Sequence, residues 1–377
     1  MATDKIGLYV HVPFCKKKCN YCDFASFPCT EKSERSRYIE ALIREIYSYK
    51  SRKIYFVDTV FFGGGTPSLL EADEFLKIYS ALSEVFDLST LTEFTVEANP
   101  KTLTPEKISA YKTAGVNRIS IGLQTIHENE RKILGRIHDC SDFLDSLSMV
   151  RAAGINNINV DLMYGIPEQS MESFGKTIES VIALKIPHIS VYGLMIEEST
   201  PFWKMQDSLK LPSDDEEAEM YFLAAKLLRD SGYLHYEISN YALPGFESQH
   251  NLKYWKCGNY IGLGLAAASY IEKQRFTNTS DMEEYLTSSD SKAKSIETLE
   301  KDDEEFEFVM LSLRLGRGLL FSEYKTKFGK DFYQNNKEKI EKYKSLGHLV
   351  CDLEKIALTD SGLYISNSII CDFLSDD

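Results

Sequence analysis

Three cysteines near the N-terminus have the spacing that most clearly predicts chemistry in this sequence. Cys15, Cys19 and Cys22 form a C-x3-C-x2-C motif directly after an apolar segment with the pattern of a first strand. Three thiolates on a short loop can bind three irons of a [4Fe–4S] cluster and leave the fourth iron open for a small molecule. The motif therefore predicts an iron–sulfur cluster with one free ligand position.

A structural zinc site is the alternative for the same cysteines. Zinc would need a fourth cysteine or histidine, which Cys29 or His11 could supply. The lysines at 16–18 would lower the pKa values of the thiols and offset the negative charge of a cluster, or they form an exposed basic loop. The spacing alone leaves both metals open.

Composition restricts the class of protein. A chain of 377 residues suits one large domain and a smaller one, and a net charge of −14 argues against a broad nucleic-acid-binding surface. Eight cysteines, three of them clustered, are typical of a reducing compartment and not of a secreted disulfide framework. We find no signal-peptide core and no apolar run that could span a bilayer, so we expect a cytoplasmic protein without an integral membrane segment.

The first two-thirds of the chain alternates short apolar strands with amphipathic helical stretches. Strands are predicted at 6–10, 57–62, 93–97, 118–122, 157–161 and 188–192, with helical patterns such as 33–50 and 170–185 between them. A degenerate repeat at 111–122 and 150–161 places a helix stop at Gly115 and Gly154 before a buried strand. We therefore predict an α/β fold with a partial (β/α)6 barrel, whose site lies at the C-terminal strand ends.

The rhythm changes after about residue 200. We expect a barrel with its cluster loop at 1–242, a connecting region at 243–302, and a smaller, mainly helical domain at 303–377. Local patterns predict a linker and a helix at 208–232, with the helix N-cap at Ser213 or Asp214 and its stop at Gly232. A strand leaving the barrel is predicted at 236–245, and a polar, exposed connection at 288–305. The segment 349–366 resembles a winged-helix-like hairpin.

Motifs at the predicted strand ends resemble a known family. In chain order they are LYVHVPFC, GGGTPS, VEANP, SIGLQT and NVDLMYGIP. Together with the cysteine motif they resemble the radical-SAM superfamily, in the branch that contains oxygen-independent coproporphyrinogen III oxidase and the HemW-type heme chaperones. In that superfamily the open iron chelates S-adenosylmethionine (SAM), and electron transfer cleaves SAM to methionine and a 5′-deoxyadenosyl radical. The resemblance covers nearly the whole chain and implies an electron donor such as a flavodoxin or a ferredoxin.

The resemblance also implies a set of residues that contact SAM. These are Tyr9, Tyr21, Gly64, Gly65, Thr66, Glu97, Gln124, Arg136, Asp161 and Met195. Their chemistry is suitable, because a glycine turn lets backbone approach a ligand, carboxylates and amides bind ribose hydroxyls, and a guanidinium binds a carboxylate with two hydrogen bonds. Core packing is the competing interpretation for Tyr9, Tyr21 and Met195, a tight turn for the glycines, and a surface helix for Arg136.

Two departures separate the sequence from the oxidases of this branch. Phe24 stands where they carry a further cysteine, and only 14 residues precede Cys15, so coproporphyrinogen III dehydrogenase activity is not expected. Residues 250–255 instead match the H-N-x-x-Y-W pattern of HemW-type chaperones. The match implies that His250 ligates heme iron, that Tyr254 and Trp255 stack on the porphyrin, and that Asn251 orients the imidazole or binds a propionate. A covalent attachment point, or a structural histidine beside a core tryptophan, stays open for His250.

The sequence thus predicts a SAM-binding [4Fe–4S] protein that holds heme as cargo and passes it to an apo-hemoprotein. The alternative from another class is a radical enzyme that acts on a porphyrinogen in the manner of the oxidases. A zinc-binding structural protein is the third hypothesis.

Overall fold

The computed structural model describes residues 5–29, 31–50, 53–288 and 293–374. Residues 1–4 of the expected first domain and 289–292 of the expected polar connection lie outside this part. The strands are β1 (Ile6–Val12), β2 (Phe14–Cys15), β3 (Phe27–Pro28), β4 (Val57–Gly64), β5 (Glu93–Ala98), β6 (Arg118–Gln124), β7 (Asn157–Tyr164), β8 (His188–Gly193), β9 (Leu234–Glu237), β10 (Asn240–Ala242), β11 (Tyr260–Leu263), β12 (Ala268–Ile271), β13 (Gln274–Asn278), β14 (Ala293–Thr298), β15 (Leu319–Leu320), β16 (Leu349–Cys351) and β17 (Lys355–Leu358).

Helices follow most of the strands. The helices are α1 (Lys32–Ser48), α2 (Ala72–Val85), α3 (Pro105–Thr113), α4 (Glu128–Ile133), α5 (Cys140–Ala152), α6 (Met171–Ala183), α7 (Pro201–Met205), α8 (Asp214–Asp230), α9 (Gln249–Trp255), α10 (Met282–Thr287), α11 (Lys301–Leu313), α12 (Phe321–Phe328), α13 (Phe332–Asn335), α14 (Lys337–Ser345), α15 (Asp360–Tyr364) and α16 (Ser366–Leu374), with 3₁₀ turns at Pro67–Leu69 and Gln206–Ser208.

Six parallel strands form the predicted partial barrel. They lie in the order β1-β4-β5-β6-β7-β8, and each neighbouring pair is parallel. Along β1 the side chains alternate, because Leu8 and Val10 join the apolar core while Tyr9 lines an inner cavity. Gly115 and Gly154 adopt the left-handed conformation, at φ +86° and +80°, that ends the preceding helix. The predicted α/β class is confirmed.

Further strands extend both edges of the barrel sheet. On one side β11 is parallel to β1 and is followed by β12, β13 and β14. On the other side the segment predicted to leave the barrel forms β9 and β10, and β10 pairs antiparallel with β8. The sheet therefore continues through 243–302, and the division into three domains stays a prediction.

The polar segment at 288–305 differs from its prediction in the residues that the structure describes. It contains β14, which pairs with β13, and the first turn of α11, whose N-terminus has a capping box of Glu300 and Asp303. An edge strand keeps one side in solvent, as the exposed Ile296 illustrates, so its composition is that of a loop.

The C-terminal region is helical with a small sheet. The antiparallel hairpin of β16 and β17 lies within 349–366, as expected, and α15 and α16 follow it. The helix predicted at 208–232 is α8, with Ser213 as N-cap and Gly232 at φ +87° after its end. In the described part of the chain, no helix is both long and apolar enough to cross a membrane.

Two glycines give opposite expectations for the same substitution. In Gly262→Ala, on β11 opposite Tyr9, the new Cβ would lie 2.1 Å from the carbonyl oxygen of Ala268. We expect a loss of about 1–3 kcal/mol in unfolding free energy from this overpacking. Gly175→Ala is the control, because its Cβ would meet Leu223 at 3.4 Å within α6, and alanine favours a helix by about 1 kcal/mol. Denaturant titration measures both, and equal midpoints would contradict the packing argument.

Candidate cluster and cofactor site

A cavity of about 460 Å³ opens at the C-terminal strand ends and brings most of the predicted site residues together. Its lining includes Cys15, Cys19, Cys22, Tyr21, Gly64, Gly65, Thr66, Glu97, Gln124, Arg136, Asp161 and Met195. Tyr9 faces an adjoining cavity of about 220 Å³, which shares Gly64, Glu97 and Asp161 with the larger one. The roles of these residues stay predictions.

The cysteine loop is fixed to the C-terminal end of α4. The backbone N–H of Asn20 donates to the carbonyl of Leu134 at 3.0 Å, and its side-chain amide donates to Ile133 at 2.8 Å. Burial raises the pKa of the Cys15 and Cys22 thiols, more than the nearby Lys18 lowers it. The expected lowering by the lysines is therefore outweighed, and metal binding has to release protons from these thiols.

The two residues that a zinc site would need are engaged elsewhere. The ring nitrogens of His11 lie 2.9 Å from the Tyr9 hydroxyl and 2.8 Å from the Ala25 carbonyl oxygen. The Cys29 thiol donates to the Glu34 carboxylate at 3.3 Å. Within the described ranges, no three His, Cys, Asp or Glu side chains are grouped to hold a single metal ion. These contacts weigh against zinc, whereas three thiols around one cavity suit a larger cluster.

The glycine turn after β4 is built by close approach. Gly64 has φ +109°, and a Cβ there would lie 2.5 Å from the His11 ring. Its N–H donates to the Glu97 carboxylate at 3.1 Å. The Thr66 hydroxyl donates to the Cys15 sulfur at 3.6 Å. The turn thus connects the cysteine loop to the end of β5.

Two carboxyl groups face the cavities from β5 and β7. Asp161 accepts hydrogen bonds from Ser120 at 3.1 Å and from Asn159 at 2.7 Å. Burial, reinforced by the Asp161 charge, raises the pKa of Glu97 to about 8, and burial also raises the pKa of Asp161. Such desolvated carboxyl groups are suitable partners for the cationic and hydroxyl groups of SAM.

The conformation and contacts of Gln124 test whether the cavity fits a cofactor. It ends β6 at φ +64°, a strained conformation for a residue other than glycine. Its buried Oε1 has no hydrogen-bond partner in the described part of the chain, and its side chain lines the large cavity. Arg136, in the same lining, donates to the Gly122 carbonyl. An unsatisfied acceptor facing a cavity fits a site that a polar ligand completes.

The H-N-x-x-Y-W motif lies at the opposite end of the barrel, on α9. The Glu93 carboxylate, at the start of β5, accepts from the backbone N–H groups of Gln249 at 2.9 Å and His250 at 3.0 Å. His250 is buried; its Nδ1 lies 2.9 Å from the Thr59 hydroxyl and its Nε2 lies 2.7 Å from the Tyr254 hydroxyl. Burial lowers the pKa of His250 to about 3, so the imidazole is neutral.

The motif residues therefore differ in their surroundings, because His250 makes buried hydrogen bonds whereas Asn251 faces a cavity. Ligation of heme iron by His250 would break its bond to Thr59 or Tyr254. Asn251 lines the smaller cavity, and Tyr254 and Trp255 are partly exposed. The heme roles of the four residues stay predictions.

Several polar residues that line the cavities were not predicted from the sequence. These are Asn99, Arg118, Ser120, Asn159, Ser190 and Tyr192. The missed signal is strand alternation, because Arg118 and Ser120 precede Gln124 by even steps and Asn159 precedes Asp161 by two.

Comparison with known proteins assigns a family. Residues 9–181 match the Radical SAM superfamily model, and residues 299–365 match the HemN C-terminal domain model. Heme chaperone HemW of Lactococcus lactis is 38% identical, with 98% of this chain and 97% of that protein covered. Heme chaperone HemW of Bacillus subtilis is 32% identical, with 98% and 99% covered. The chain belongs to the HemW family. This membership confirms the resemblance seen in the motifs.

Membership implies cofactors, and a solved structure confirms the fold. The Radical SAM match implies a [4Fe–4S] cluster and SAM. The solved coproporphyrinogen III oxidase (HemN) from Escherichia coli superposes with a TM-score of 0.86 and 23% identity, with 99% of this chain and 90% of that chain covered. The HemW-family chain thus shares its architecture with that radical SAM enzyme.

Glu97→Gln should change how stability depends on pH. The folded protein keeps a proton on Glu97 up to a pKa of about 8, whereas the unfolded chain loses it near the ordinary value of 4.5. The contribution of this group to stability is therefore complete below pH 4.5 and falls as pH rises to 8. In cofactor-free protein, we therefore expect the melting temperature of Glu97→Gln to rise relative to that of wild type between pH 5 and pH 8. Glu106→Gln, at an exposed position on α3, is the control, and a parallel profile for both variants would refute the assignment.

Proposed function

We propose that this HemW-family protein binds a [4Fe–4S] cluster and SAM, holds heme, and transfers heme to apo-hemoproteins in the cytoplasm. The observation that carries the proposal is that similarity to proteins named heme chaperone extends over 98% of the chain. It spans both the barrel and the C-terminal region. A flavodoxin or a ferredoxin is the proposed electron donor.

Residues of the large cavity would hold the cofactors. Cys15, Cys19 and Cys22 would ligate the cluster, and the chemistry that such a cluster supplies is one-electron reduction of bound SAM. Glu97, with its raised pKa, and Gln124, with its free acceptor, would bind polar groups of SAM. The turn at 63–66 would present backbone atoms instead of side chains, because no Cβ fits at Gly64.

The mouth of the same cavity supports heme docking. Phe24 is 66% exposed and Met195 is 72% exposed, and both line the cavity together with Tyr192. Large exposed apolar side chains grouped at a cavity are typical of a surface for an apolar ligand, and a methionine thioether can ligate heme iron. Lys17, in the same lining, would face a propionate. Met195 is thus proposed as a heme ligand instead of a SAM contact. His250 is proposed to hold α9 in place.

Cys19→Ala should abolish the cluster. Two thiolates cannot hold a cubane with one open iron, so iron content after anaerobic reconstitution should fall from about four per chain to below one. Cys29→Ala is the matched control, because Cys29 is bonded to Glu34 and lies outside the cavity lining, and it should keep full iron. Iron analysis and the visible absorption spectrum measure both. Zinc in wild type, or equal iron loss in both variants, would contradict the cluster assignment.

Heme uptake tests the function. Reconstituted protein should bind heme at about one per chain and deliver it to an apo-hemoprotein, as measured by absorption spectra. With coproporphyrinogen III, SAM and reductant it should form no protoporphyrinogen. Formation of protoporphyrinogen would favour the oxidase alternative instead.

Variants then separate the two candidate heme sites. Met195→Ala should weaken heme binding about tenfold and remove the methionine signature from the heme spectrum, whereas Met205→Ala, also exposed but outside the cavity lining, should not. His250→Ala should lower the melting temperature and leave the axial ligand unchanged. If His250→Ala alters the ligand and Met195→Ala does not, heme binds at the motif and the docking proposal fails.

A further inference from the structure

A buried arginine lies deep inside the barrel and has no role in the function proposed above. Arg118 is the first residue of β6, is 2% exposed, and lines the cavity of about 220 Å³. It lies on the same strand face as Ser120 and Gln124, but at the end of β6 that is remote from the cysteine loop. A side chain of this charge is rarely buried without a partner.

Carboxylates of the barrel do not satisfy this cation. Nε of Arg118 has no hydrogen-bond partner among the described residues. Asp161 accepts from Ser120 and Asn159, and Glu97 accepts from Gly64. Arg118 lowers the pKa of both acids, yet burial holds the pKa of Glu97 at about 8, so a neutral carboxyl group faces the cavity at pH 7.

The shape of the smaller cavity restricts what can bind there. A volume of about 220 Å³ is below the range of about 300–1,000 Å³ that is typical of pockets for drug-sized ligands, so it suits a molecule much smaller than a porphyrin. Its walls combine hydroxyl and amide groups of Ser120, Asn159, Ser190 and Asn251 with the ring of Phe61. A short organic acid meets both features, because its carboxylate suits a guanidinium and its carbon chain suits an aromatic wall.

We propose that Arg118 binds the carboxylate of a small organic acid in this inner cavity. The two cavities share Phe24, Gly64, Glu97, Ser120, Asp161 and Tyr192 as walls. The acid therefore lies next to the space proposed for SAM. Asn251 of the H-N-x-x-Y-W motif faces the same cavity from α9, so the motif closes the inner site. The inference requires neither heme transfer nor SAM cleavage.

Thermal unfolding of the anaerobically reconstituted full chain tests the proposal, with sodium propionate as the probe and propionamide as its uncharged analogue at constant ionic strength. Propionate should raise the melting temperature of wild type in a saturable way, by about 2 °C, because it binds only the folded state. Propionamide should not. Arg118→Met should lose the propionate effect and should melt no lower than wild type, because the buried charge that it removes forms no ion pair with a carboxylate among the described residues.

Arg131→Met is the matched control. Arg131 is also buried, but it donates to the carbonyls of Thr125 and Ile126, so its loss should lower the melting temperature while the propionate effect persists. Arg118→Lys keeps the charge without the two-pronged geometry, and it should weaken propionate binding at least fivefold. If Arg118→Met does not fold, the result for Arg118→Lys decides the question.

Three results would overturn the inference. The first is an equal effect of propionate and propionamide on wild type. The second is an unchanged propionate effect in either Arg118 variant. The third is a fall in the melting temperature of Arg118→Met as large as that of Arg131→Met, which would make Arg118 a structural counter-charge for Glu97 and Asp161.

Discussion

The Glu93 carboxylate joins the open barrel to the helix that closes it. Glu93 begins β5, and its two oxygens accept the backbone N–H groups at the start of α9. A buried anion at a helix N-terminus satisfies donors that have no partner within the helix, and it interacts favourably with the helix dipole. Because α9 covers the N-terminal end of the barrel, the polar groups inside lose contact with bulk water. The electrostatics of the interior depend on this closure.

Desolvation then separates the two ends of the barrel into different chemical environments. At the closed end, burial lowers the pKa of His188 and of His250, and each imidazole is held neutral between two polar side chains. At the open end, burial raises the pKa of Glu97, while the exposed rings and thioether of the mouth face solvent. At the closed end these neutral, doubly bonded histidines lie on the same side of the barrel as Arg118, whose buried Nε has no partner among the described residues. The unsatisfied Oε1 of Gln124 and the exposed side chains of Phe24 and Met195 lie at the open end.

The local sequence pattern was sufficient to predict the parallel strands and to locate the polar residues at their ends. Strands buried on both faces are continuous apolar runs, and the polar residues that end them stand out from those runs. Prediction failed where pairing is non-local. The strand β14 is recognisable only beside β13, because its own composition is that of a loop. Arg118 was missed although strand alternation places it on the face of Ser120 and Gln124, because an arginine at a strand start is usually solvated.

The histidine of the H-N-x-x-Y-W motif shows how far recognition of a motif extends. The motif identified the family correctly, but its residue types do not determine which atoms are free. Thr59 and Tyr254 occupy both nitrogens of His250, and Phe61 stacks on the ring at 5.3 Å between centroids. An imidazole with both ring nitrogens engaged has to give up one of these hydrogen bonds before it can ligate iron, and the side chain left behind would then be an unsatisfied buried polar group. The contacts of the motif in this structure are therefore those of a helix that closes a barrel, and ligation at His250 requires those contacts to rearrange.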